Sequence, residues 1–162
     1  TILNTFFVDN PWSTLTALSR RIGLTTMPLG DSYKNAMKRR HQSAHSTTAQ
    51  VPYGDVMSFL TESSALALSF DILISKALQH IQNAEMEYLN GRKKISQSRI
   101  NIRLIIWQDQ KWKEKKDTAN IAYRANTNLQ ILKTDAASRS AARKETLVVF
   151  DKERNPVEWF CN

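Results

Sequence analysis

Two histidines four residues apart, His41 and His45, are the first spacing in this chain that chemistry could use. On a helix they share one face, as a pair of metal ligands would. No carboxylate stands beside them, and Lys38, Arg39 and Arg40 immediately upstream repel a cation. A closed metal site needs more ligands than this, so the sequence predicts no metal. His80 stands alone on a helical stretch and reads as a boundary residue. Asp71 interrupts the apolar run from 64 to 78, and a carboxylate in such a place is a functional suspect. The structural explanation is an ion pair with Lys76 or with an arginine from another helix, and we favour it. Cys161 is the only cysteine, which excludes an intramolecular disulfide and a cysteine zinc site. No Ser-His-Asp arrangement is legible, and four glycines in 162 residues leave no phosphate-cradling loop. The sequence predicts neither an enzyme nor a cofactor.

Lysine and arginine carry the stronger signal. They number 23 against 15 acids, a net charge of +8. A balance this basic favours polyanions as partners. Lys38, Arg39 and Arg40 form one cluster. Arg92, Lys93, Lys94, Arg99 and Arg103 form a second, in which Arg92, Arg99 and Arg103 would line one face of a helix. Lys111, Lys113, Lys115 and Lys116 follow, interleaved with Trp107 and Trp112, and only Asp109 and Glu114 oppose them. A basic helix face tracks phosphates through sequence-independent, salt-sensitive contacts. The competing reading is a solvated face whose lysines pair with acids of a neighbouring subunit.

The elements that must position these residues follow from apolar spacing. Thr1 to Val8 is a short apolar arm with Phe6 and Phe7, followed at once by Asp9, Asn10 and Pro11 rather than by the layout of a signal peptide. Asn10 then Pro11 starts a helix, Trp12, Leu15, Leu18 and Ile22 recur on one face, and Gly23 ends it. Asp31 and Ser32 cap a second short helix, and 43–50 is a polar linker. From Asp55 to Asn155 there is no proline and one glycine, Gly91. Val56, Leu60, Ala67, Phe70, Ile74, Leu78, Ile81 and Tyr88 fall at helical intervals. A straight helix from 55 to 89 would be about 50 Å long, with a break at Asn90-Gly91. No run reaches transmembrane length, because Asp71 and Lys76 interrupt the most apolar one.

Ile95, Ile102 and Ile106 continue near heptad positions, which suggests a coiled-coil-like helix. Ile100, Ile102, Leu104 and Ile106 also alternate as a strand would, and helical flanks without turn signals favour the helix. Ile121, Ala125, Leu129, Leu132 and Ala136 form a further helical face, and 146–150 with 156–160 reads as a short β-hairpin.

The resulting expectation is an all-α fold. Long antiparallel amphipathic helices at 55–145 follow an N-terminal arm with two short helices and a linker at 1–54, and a strand-like tail occupies 146–162. The expected function is a structural subunit that self-associates into a capsid-like, filamentous or secretion-type assembly. Phe6, Phe7, Trp12, Val149, Phe150, Trp159 and Phe160 are its expected subunit contacts. Its basic face (Lys38, Arg39, Arg40, Arg92, Lys93, Lys94, Arg99, Arg103, Lys111 and Lys113) would meet nucleic acid or an acidic partner. The alternatives are a stand-alone nucleic-acid-binding helical module and a helical adaptor or chaperone. The expected location is the cytoplasm or the interior of a particle.

Overall fold

A computed structural model describes residues 2–25, 27–45 and 52–162, without the side chains of Gln42 and Ser43. The expected linker at 43–50 lies largely outside these residues. After a single turn, α1 (Ile2–Thr5), the chain forms α2 (Pro11–Ile22), α3 (Leu29–His45) and α4 (Tyr53–Gln82). Proline at the first position starts α2, and Gly23 at φ 83° closes it by donating its N–H to the Arg20 carbonyl. Asn10 is not a side-chain cap. It sits at φ 41°, and its carbonyl accepts from the Thr14 N–H at 2.9 Å. The helix α3 is longer than the sequence suggested, with 17 residues, and begins ahead of Asp31. In α4, Asp55 lies in the first turn, and the helix stops at Gln82 because Ala84 turns the chain at φ 48°. One further turn, α5 (Met86–Leu89), precedes Gly91 at φ 69°.

From Ile102 onward the all-α expectation fails, and with it the coiled-coil continuation and the long-helix body reaching residue 145. The chain forms β1 (Ile102–Gln108), β2 (Lys111–Lys116), β3 (Arg124–Asn126), α6 (Leu129–Arg143), β4 (Thr146–Phe150) and β5 (Pro156–Phe160). The sheet order is β3-β2-β1-β4-β5. Only β1 and β4 run parallel, with Ile102 opposite Thr146 and Ile105 opposite Val149; all other pairs are antiparallel. The first five residues of β1 are all buried, because helices cover both faces of this central strand. A strand buried on both sides reads as a continuous apolar run. The turn into β2 is Asp109-Gln110, both with positive φ (52° and 59°). Two-residue hairpin turns of this hand usually carry glycine second, and glutamine there conceals the turn. The expected C-terminal hairpin forms as β4 and β5, inside the larger sheet.

One face of the sheet packs on α6, where Leu132 and Ala136 meet Ile105, Trp112, Leu147 and Val149. The other packs on α2 and α4, where Leu15, Leu18, Leu68, Ile72 and Leu73 share a core with Leu104, Ile106, Val148 and Phe150. Arg21 ties α2 to the sheet layer: its Nε donates to Asp117 Oδ2 at 2.6 Å and its Nη2 to the Ile100 carbonyl at 2.7 Å. Asp71 accepts from the Trp159 indole N–H at 2.8 Å, which replaces the expected partner Lys76 or arginine. The N-terminal segment is not an extended arm. Leu3 and Val8 are buried, Val8 bridges Ile95, and the Phe6 carbonyl accepts from the Tyr88 hydroxyl at 2.7 Å.

Candidate functional site

The second half of α4 is core: Ala65, Leu68, Ser69, Ile72, Leu73 and Ala77 are buried. Its first half is as apolar but runs past the sheet, and Tyr53, Val56, Met57, Phe59 and Leu60 stay exposed. By length and composition α4 is the one described helix that could cross a membrane. Beside its exposed half, α2 and α3 diverge and leave an apolar groove of about 970 Å³. Trp12, Tyr33, Met37, Val56 and Phe59 form its lips, and Leu15, Leu66 and Phe70 its floor. The Trp12 and Tyr33 rings lie 5.7 Å apart. The charged groups lining it are Arg39, Arg40 and Asp55. Arg39 faces Glu62 at 3.8 Å, while Arg40 has no ion pair among the described residues. Large apolar hollows with few polar groups are the usual places for binding.

The structure thus brings together Trp12, Arg39 and Arg40, which the sequence had assigned to two separate roles. Tyr33, Met37 and Phe59 were missed. For Phe59 the signal lies in the apolar residues that continue along the first half of α4 beyond what one core face requires; Tyr33 and Met37, on α3, have no such signal. The other expected subunit contacts pack within the chain: Val149 and Phe150 are buried, Trp159 and Phe160 half-buried, Phe6 lies against the core, and Phe7 meets Tyr88 edge-on.

The second basic group is not a helix face. Arg92, Lys94 and Arg99 are exposed on the loop between α5 and β1. Lys93 holds Glu85 at 2.6 Å, and Glu85 also meets His80 Nδ1 at 2.8 Å. The Lys93 and His80 hydrogen bonds hold the Glu85 carboxyl down at about 2. Arg103 is buried on β1. Its guanidinium reaches Glu114 Oε1 at 2.7 Å and Glu145 Oε2 at 2.7 Å, and Arg139 also bonds Glu114. The Tyr123 ring lies over this cluster, 5.6 Å from Arg103 and 5.9 Å from Arg139. Lys111 and Lys113 stand on β2. His41 and His45 lie with their rings 4.4 Å apart, and the described residues contain no group of three or more possible metal ligands. Burial pushes the Cys161 thiol up to about 11, away from the thiolate a nucleophile needs.

No protein-family model matches this chain, nor does any curated protein or solved structure.

Proposed function

We propose that the chain is a non-enzymatic, self-associating structural subunit, and that its contact is the groove of α2, α3 and α4. Two copies lay their α3–α4 pairs together and each fills the other's groove, as in a four-helix bundle. The observation that carries this reading is the exposed apolar half of α4 beside an apolar hollow on the same molecule. A two-fold contact needs one patch that complements itself. Here a knob (Val56, Phe59, Leu60) and a hollow share one surface, with Arg39 and Arg40 on the groove that also carries Asp55.

The test is light scattering on a sizing column, for the natural chain and for Phe59→Glu. The expected result is a dimer or larger particle that the variant reduces to a folded monomer. A charge buried at such a contact costs several kcal/mol, which weakens a dimer by roughly a hundredfold or more. A natural chain that is monomeric at 100 µM overturns the reading. If that monomer then floats with vesicles or captures an amphipathic helix, the groove belongs to those occupants instead.

A further inference from the structure

The lysines of β2 are arranged more regularly than the rest of the basic surface. Side chains alternate along a strand, so Lys111, Lys113 and Lys115 share one face of the sheet and Trp112 and Glu114 the other. Trp112 packs under α6, and Glu114 is buried beside Arg139 of that helix. The three lysines therefore occupy the opposite face. This is the face that β1 packs on α2 and α4, and β2 lies at its margin: Lys111 is exposed, while Lys113 and Lys115 are half-buried. Cross-strand neighbours on β1 are Gln108, Ile106 and Leu104. On β3, Lys113 faces Ala125, whose methyl group leaves the row open on that side. The row ends at Asp117, whose carboxylate is buried against Arg21. Among the described residues, the acid in contact with the row is Asp109, which pairs with Lys113 and is itself largely exposed.

We infer that this row is a binding site for the phosphate backbone of single-stranded nucleic acid. Alternate residues of a strand are about 6.8 Å apart, a spacing that lets successive lysines meet successive phosphates of an extended strand. Leu104 and Ile106 are buried, so the lysine face offers no apolar anchor of the kind a protein interface needs. Among the described residues it offers no stacking aromatic either, so the binding is to the backbone and independent of sequence. The row lies on a different element from the helix groove, and the two readings fail separately.

The experiment is fluorescence anisotropy of the full chain with a labelled 20-nucleotide oligo(dT), from 50 to 300 mM salt. Three phosphate contacts on a single strand correspond to a salt slope of about −2 in log K against log salt. Lys111→Gln, Lys113→Gln and Lys115→Gln together should weaken binding about tenfold at 50 mM salt and flatten the slope by about 2. Asp109→Asn should tighten binding roughly two- to fivefold, by freeing Lys113 from its pair with the exposed Asp109. A control with the same loss of charge, Arg92→Gln, Lys94→Gln and Arg99→Gln, should leave affinity within about twofold of the natural chain if the row is the site. Circular dichroism establishes that each variant is folded. Equal weakening by both triple variants would assign binding to overall charge and overturn the proposal. Absence of binding at 50 mM salt would do the same, as would tighter binding to a duplex of equal length or to phosphatidylserine vesicles than to the single strand.

Discussion

Replacing Arg103 by leucine removes the fork that joins two buried carboxylates. Arg103 is 1% exposed and Glu114 0%; Nη1 donates to Glu114 and Nε to Glu145, both at 2.7 Å, and Nη2 lies within ion-pair distance of Glu145. Removing one member of a buried ion pair costs about 3–5 kcal/mol. Two neighbours soften the loss here. Glu114 keeps Arg139, and Glu145 keeps Lys116 at 3.6 Å. Arg139 and Lys116 then face the two buried carboxylates, with the half-exposed Asp135 also beside Arg139, which places the expected loss near the low end, about 3 kcal/mol. For a chain of this length that corresponds to a fall of about 6–12 °C in Tm. The assay is urea unfolding at pH 7, since urea does not screen charges, followed by tryptophan fluorescence and circular dichroism with the m value held common. Adding Glu114→Leu to Arg103→Leu should recover at least about half the loss, because a buried pair replaced by apolar residues is often neutral. A loss below about 1 kcal/mol, the range of solvated surface pairs, would refute the reasoning.

Glu85 supplies a pH test. Its folded value of about 2 lies below its ordinary one, so the stability it contributes is present above the unfolded value and is lost as pH falls from about 4.5 towards 2. Glu85→Gln should therefore lower stability at neutral pH and flatten the acid limb of the stability curve in that window, as read from urea midpoints, so that the two chains converge towards pH 2. Gly91→Ala should lose about 1–2 kcal/mol in the same assay, because φ is +69° and the new methyl would meet Phe7 Cε1 at 3.1 Å. Trp159→Phe should lose about 1 kcal/mol by removing the indole donor to Asp71, and should have no further effect when combined with Asp71→Ala.

The candidate groove was half legible in the chain. Trp12, Arg39 and Arg40 were conspicuous by type, but nothing local indicates that α2 and α3 stand side by side with α4 between residues 55 and 70. Arg103 shows the opposite failure. In sequence it is one more cation in a basic run, and its burial depends on Glu145, which lies beyond β2, β3 and α6.

The sequence by itself determined what local chemistry can impose. Pro11 and Gly23 set the ends of α2, because one lacks the N–H an inner turn needs and the other takes positive φ without strain. The apolar run of α4 and the strand composition of 146–150 and 156–160 were equally local signals. The tertiary structure alone decided the state of 100–116. Its residues fit a helical or a two-residue period about equally, and intrinsic propensities differ by well under the energy of burial. What selects the strand is pairing with β4, between Ile102 and Thr146, and a helical layer on each side. Those contacts erase the alternation of β1 by burying both its faces. They also place Arg103 and Glu114 inside the protein, where a reading of sequence puts charges on the surface.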